Sequence, residues 1–564
     1  MNLFSAFWAA LAVGLLYPTA RLLLRQALPT LSPGTQRSLA ALMAATFAVT
    51  PTLWSQAVIA EVYGLHIFFV VLLFYLISRW GARHDPGLLL LTAACFGLSL
   101  THHSTTVLLA PALLAYWQGT RHKAQMANEP RRRRNWQLTA SYLLLAVCLP
   151  LLLYLYIPLR APHTPYLRQP LAPGRELVLY ENTLANLLNF VTGGPFGGSV
   201  DFSVNLGERL TMAWGFLRNE VGWIGVLLAL IGVGRLAVGR KWALLALTGL
   251  AFGATVAFNL VYTIGDIYVL FIPTYLVVVL WLGVGVGTLL QICKSTNLQI
   301  LFALMSFALP VWLGVSHYAD VDQSDNTAAR TGWEAILTKP LPADAVLVSD
   351  DRNDVMPLWY FQYVDGVRPD LLGLFPLITP EYPTLGPILD LALSTGRPVY
   401  LIKEMPGVEV KVEVDAEAEN GLWRVLGPAA GNEPEVQSGA QWADAVRLVG
   451  YDLSPANPQP GETLQIELYW EALRPLEAEY HTFVHLLDPA GQKVAQSDRQ
   501  PGGVFYPTTL WRPGEIQRDD HALTVPTDAP PGGYQLLVGL YTLAADGTLG
   551  PLGEPVVVGQ VDVR

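Results

Sequence analysis

The stretch WSQAVIAEVYGLHIFFVVL, residues 54–72, decides how the chain is read. It is apolar enough for lipid except at Glu61, and a carboxylate held in hydrocarbon costs at least about 2.5 kcal/mol. Glu61 therefore marks either a membrane boundary or a polar site that neighbouring helices build.

Composition supplies the setting. Of 564 residues, 52% are hydrophobic and only 14% charged, against roughly a quarter charged in an ordinary soluble domain. Long uncharged runs fill residues 3–318, whereas 319–564 carry most of the Asp and Glu in short alternating segments. The chain reads as a membrane half joined to a water-soluble half. The net charge of −10 belongs largely to the soluble half, and nothing points to nucleic acid. Cys95, Cys148 and Cys293 lie within or beside apolar runs without CxxC or Cys/His spacing, so they read as small packing residues rather than a disulfide framework or zinc site.

A helix needs about 20 apolar residues to cross a bilayer, and short cytoplasmic loops are enriched in Lys and Arg. Candidate spans are 3–22, 38–58, 62–79, 87–102, 104–119, 137–158, 220–237, 242–263, 267–290 and 298–317. Basic clusters fall in every second loop: Arg21, Arg25 and Arg37; Arg79 and Arg83; Arg121, Lys123 and Arg131 to Arg134; Arg235, Arg240 and Lys241; Lys294. With those loops cytoplasmic, the loop 159–218 and the soluble half lie outside. Thr101-His102-His103-Ser104 is a tight outer connection between two short spans. Met1 also falls outside, which leads to the expectation of an odd number of preceding helices, most simply one.

The ionisable residues left at the outer boundary are Glu61, His102, His103, Arg160 and Asp266. Singly, each has a bland reading as a snorkelling, capping or turn residue. Together at one depth they suggest a polar cavity on a substrate path. A carboxylate can act as general base while Arg or His neutralises a phosphate leaving group, the set needed to transfer a sugar from a lipid phosphate to a hydroxyl. A transporter would spread such groups through the membrane depth.

The segments WSQAVIAEVYGLHIFF, FGLSLTHHSTTVLLAPALL, YLYIPLRAPHTP, VYTIGDIYVLFIPTYL and LPADAVLVSDDRNDVMPLWYFQYVDGVRPDL, spread over about residues 1–405, resemble the protein O-mannosyltransferase-like membrane proteins. That family is similar in architecture to the GT-C glycosyltransferases. The resemblance implies a multi-pass protein of a bacterial-type plasma membrane with extracytoplasmic C-terminal domains. It also implies inverting transfer of a sugar such as mannose from a polyprenyl-phosphate donor to a protein or glycan acceptor. In that scheme Glu61 and Asp266 are catalytic, and His102, His103, Arg160, Tyr63 and Tyr268 bind substrate. A divalent metal bridging carboxylate and phosphate is compatible with the chemistry, although no ligand spacing requires it. Family members open with a further helix and an acidic outer loop before the equivalent of NLFSAFWAALAVGLLY, so the resemblance too implies an absent first segment. Because GT-C enzymes usually keep their catalytic carboxylate there, the alternative is a non-catalytic relative that binds lipid-linked glycan or presents a sugar-binding domain.

The outer loop 159–218, with PYLRQP and NFVTGGPFGGSV, has the composition of an interfacial loop over a lipid-linked substrate, with a short amphipathic helix near 181–192 as its plain reading. Beyond it, AVLVSD, LLGLF and PVYLI have strand length and DVMPLWYFQYV reads as a helix, a small α/β module in which Asp350 and Asp351 follow a strand. From about 440, short runs alternating with PANPQPGE, DPAGQ and DAPPGGY favour a β-sandwich. The expected division is a GT-C-like transmembrane domain over 1–320, an α/β module over 321–432 and a β-sandwich over 433–564. Trp470, Tyr506 and Trp511 are candidates to stack on sugar rings.

Overall fold

The computed structural model describes residues 2–126, 136–293, 295–415, 421–429, 433–544 and 547–564. Arg131 to Arg134 and Lys294, used above to orient the spans, lie outside the described residues. The chain divides into two compact units, Met1–His163 with Glu181–Asn326, and Thr164–Tyr180 with Thr327–Arg564.

The first unit is a helix bundle. Among the described residues, seven helices are long and apolar enough to cross a membrane, or eight if one bent pair counts as a single span, where the sequence suggested about ten. The difference has local causes. The expected 38–58 span divides into α2 (Pro33–Ala48) and α3 (Pro51–Val58), bent by 62°, because Pro51 lacks an N–H for the helix ladder and disfavours helical geometry in the residue before it. After α4 (Tyr63–Arg83), α5 (Pro86–Leu100) is apolar but short, and a 3-10 turn at Ser104–Leu109 leads into Ala110–Met126. That last helix ends on Gln118, Arg121, His122 and Lys123, too polar to extend a span.

Glycine sets the closest approaches. A Cβ on Gly232 would lie 1.9 Å from the Trp281 carbonyl oxygen, and one on Gly285 would lie 1.9 Å from that of Leu228. The Leu206–Val238 helix therefore meets Ile272–Ile292 backbone to backbone, as small residues allow in membrane bundles. Within the membrane-spanning stretch Ile267–Ile292, Val269 through Thr288 are all buried.

In the second unit, Val346–Val348 lies between the parallel strands Leu372–Leu374 and Val399–Leu401, and Trp423–Pro428 and Val412–Asp415 extend the sheet antiparallel. The helix expected from DVMPLWYFQYV is Arg352–Tyr363. A hairpin from the loop 159–218, Arg168–Ala172 with Arg175–Val178, turns through Gly174 at φ 77° and buries Leu171 and Leu177 in this module's core. Residues 164–180 thus fold with the C-terminal unit rather than with the rest of 1–320. Downstream, two antiparallel sheets share one core containing Trp442, Trp470, Leu486, Tyr534 and Val538. The strand His481–Leu487 alternates buried and half-buried positions, the period expected when one face packs inward.

Candidate functional site at one end of the helix bundle

The opening stretch is not one helix. It breaks between α3 and α4, and Glu61 sits exposed in the break. A single residue of α1 (Asn2–Ala27) holds its backbone there: the Ser5 hydroxyl donates to the Glu61 carbonyl at 2.9 Å and accepts from the Glu61 N–H at 3.0 Å. Gly64 permits this approach, since a Cβ there would come within 2.6 Å of the Ser5 carbonyl oxygen.

Beyond the end of α5, His102 Nε2 donates to the Val62 carbonyl at 2.9 Å. That bond fixes the proton on Nε2 in the neutral ring. His103 exchanges a 2.7 Å hydrogen bond through Nδ1 with Thr105, and its ring lies 5.8 Å from that of Tyr63 and 4.3 Å from that of His66, stacked. Burial first, and then the neighbouring His102, push the His103 pKa down to about 4. It is a neutral base at pH 7.

The facing wall follows the helix Trp242–Val261. Arg209 caps that helix's C-terminal carbonyls, with Nε on Leu260 at 3.1 Å and Nη2 on Asn259 at 2.8 Å, and also donates to Tyr262. A cation at a helix C-terminus satisfies carbonyls left without intrahelical partners. Asp266 is exposed in the turn that follows. The Tyr63 hydroxyl lies within electrostatic reach of Asp266, Glu61, Tyr262 and Tyr268. Glu61, Tyr63, His102, His103, Asp266 and Tyr268 thus gather where several helices end. Arg160 lies exposed at the end of Tyr156–Arg160.

Sequence reasoning passed over His66, Arg209 and Tyr262. His66 stands one turn after Val62 on α4, a spacing that could have placed it beside the His pair; Arg209 carried no signal beyond its charge. Among the described residues no group of three or more His, Cys, Asp or Glu could hold a metal ion.

The second unit places its candidates differently. Trp470 and Tyr506 are 0% exposed and Trp511 2%. Their rings are packed into the core between the sheets and offer no face to a sugar, which corrects the stacking role suggested for them. Asp351 caps the Arg352–Tyr363 helix by accepting from the Asn353 N–H at 2.8 Å. Lys403 pairs with Asp350 at 2.7 Å and Asp354 at 2.8 Å.

These features define a class first: a multi-pass helical membrane protein with a polar cluster at one end of its bundle and a β-rich C-terminal unit. Residues 1–126 match the model of the Protein O-mannosyl-transferase TMEM260 N-terminal domain, in agreement with the resemblance carried by the sequence motifs. The matched stretch includes Glu61, Tyr63, His66, His102 and His103. No curated protein matches the chain. A solved structure, the crystal structure of the C-terminal domain of wzt, covers 24% of this chain and 80% of its own at 12% identity and a TM-score of 0.18; a likeness that slight carries no argument.

Proposed function

We propose that the protein is a membrane glycosyltransferase that moves a sugar, mannose by analogy with the matched family, from a polyprenyl-phosphate donor to a hydroxyl of a protein or glycan. The observation that carries this reading is the convergence at one bundle end of Glu61, clamped by Ser5, with His102 on the Val62 carbonyl and the His103 ring against that of Tyr63. One carboxylate takes the acceptor hydroxyl proton as the oxygen attacks the anomeric carbon. The bond to the lipid phosphate breaks on the opposite side, and the configuration inverts. The positive charge of Arg160 stabilises the departing phosphate. The alternation of basic loops supports an extracytoplasmic position for this end of the bundle, and the family resemblance a bacterial-type plasma membrane. On this reading residues 321–432 and 433–564 are an extracytoplasmic α/β module and a β-sandwich that serve the acceptor.

The test is transfer of labelled mannose from defined polyprenyl-phosphate donors by the full chain in nanodiscs. Transfer to a hydroxyl acceptor with inversion supports the reading; no transfer from any polyprenyl-phosphate sugar overturns it.

A further inference from the structure

Glu220 lies where a carboxylate is most costly. It is 2% exposed within the membrane-length helix Leu206–Val238, yet among the described residues no ion pair neutralises it. Its partner is Thr52, the second residue of α3: both carboxylate oxygens accept from the Thr52 backbone N–H at 3.3 Å, and one also accepts from the Thr52 hydroxyl. The first N–H groups of a helix have no partner within it, and the helix dipole favours negative charge at that end.

Helix α3 has no cap of its own. Thr50, at the capping position, makes no side-chain cap and instead donates its hydroxyl to Phe47 at 2.8 Å. The cap comes from a residue far away in sequence. Two residues beyond Glu220, Gly222 adopts φ 64° and ψ 174°, which kinks the long helix. A left-handed φ of that kind is readily open to glycine alone. Two helix breaks, the bend at Pro51 and the kink at Gly222, thus meet at one carboxylate. The chain runs from that capped turn along α3, a rod of about 12 Å, directly into the Ile59–Val62 break where Ser5 clamps Glu61.

We propose that Glu220 is a positioning residue for the Glu61 site: by capping α3 it fixes the helix that delivers Glu61. This role rests on the glycosyl-transfer reading only for its consequence in catalysis; the fixing of α3 is testable without it.

The experiment uses the full chain with Cys95, Cys148 and Cys293 replaced by serine and one reporter, Gln56→Cys, at a buried position of α3. Maleimide labelling in nanodiscs reads the release of the helix. Glu220→Leu raises the labelling rate about tenfold, the effect of losing a charge-assisted hydrogen bond, whereas Glu220→Gln, which keeps an oxygen acceptor, stays within about threefold. Thr52→Val, which retains both the carboxylate and the backbone N–H, serves if the leucine variant does not fold; it raises the rate about threefold. In the reporter-free chain, Glu220→Leu lowers kcat while KM holds, and Glu220→Gln restores kcat. Unchanged labelling in both Glu220→Leu and Thr52→Val overturns the capping role, and faster labelling with unchanged kcat overturns the positioning role. Absence of transfer in the parent chain instead counts against the glycosyl-transfer reading alone.

Discussion

His103 lies ring to ring on His66, with centroids 4.3 Å apart and planes 28° from parallel, and His66 is 4% exposed. A buried imidazole is thus the floor under a half-buried one in the candidate site. His66 also lines a cavity of about 10 Å³ with Thr255 and Asn259, which loss of the ring would enlarge. His66→Ala is expected to cost about 2–4 kcal/mol of stability and to lower transfer, while His66→Phe keeps the stack and recovers most of both. Thermal unfolding in detergent with a parallel transfer assay checks this; an alanine variant as stable and active as the parent sinks it.

Glu61 and Asp266 are exposed, so neither carboxylate supports the core. Glu61→Gln and Asp266→Asn should each leave the unfolding midpoint in place, and loss of a general base should lower transfer by about 10²- to 10⁴-fold. If both amide variants transfer at the parent rate, these carboxylates leave the catalytic account.

How far the sequence discloses this arrangement depends on the range of the interaction. The membrane half, the break at Glu61 and the short strands of the soluble half are local, written in apolar runs and turn residues. The hairpin Arg168–Val178 escaped the sequence reading: Pro173-Gly174 is a turn signal, but its flanks carry Arg168, Gln169, Arg175 and Glu176 and its partner core lies far along the chain. Trp470, Tyr506 and Trp511 show the limit. Aromatic residues in a two-sheet domain look alike in sequence whether they face a ligand or the core, and only burial separates the two. Glu220 in LRNEVGWIG reads as the first residue of the expected span 220–237, and nothing nearby marks its role, because its partner, Thr52, is remote in sequence and the kink at Gly222 is a tertiary feature.

The glycine contacts give a packing prediction. Gly285→Val places atoms on the Leu228 carbonyl, 1.9 Å from the first added carbon. The helices Leu206–Val238 and Ile272–Ile292 must separate, at a cost of about 1–3 kcal/mol or more. Gly249→Val, where a Cβ meets nothing within 4 Å, is the control. Equal midpoints for the two variants in detergent unfolding would contradict the backbone-to-backbone contact.

Orientation is read from the alternation of basic loops, so it is tested by sidedness. In a chain without native cysteines, His163→Cys and Tyr480→Cys in intact cells should react with a membrane-impermeant maleimide added outside. A cysteine at position 240, in the basic loop Arg235–Lys241, should react only after permeabilisation. The reverse pattern would invert the membrane reading and move the Glu61 cluster to the cytoplasmic face.

The last prediction concerns acid stability of the two-sheet region. Asp519 is fully buried and accepts from Thr482 at 2.6 Å and His521 at 3.1 Å, with Arg499 at 3.3 Å. Burial alone would raise its pKa, but His521, Arg499 and Thr482 outweigh burial and hold it below the usual carboxylate range. A carboxyl with a depressed folded pKa binds its proton more weakly folded than unfolded, so acid favours unfolding. Its contribution is fully present above about pH 4, the ordinary aspartate value, and is lost as the pH falls through the lower folded one. Asp519→Ala should cost about 3 kcal/mol near neutral pH, because it strands the partners of a buried charge, and should flatten the acid limb of the stability profile. Trp470, whose indole N–H reaches Asp519 at 3.3 Å, supplies the fluorescence signal for denaturant titrations between pH 3 and 8, and an acid limb that persists unchanged in Asp519→Ala would assign it to other carboxylates.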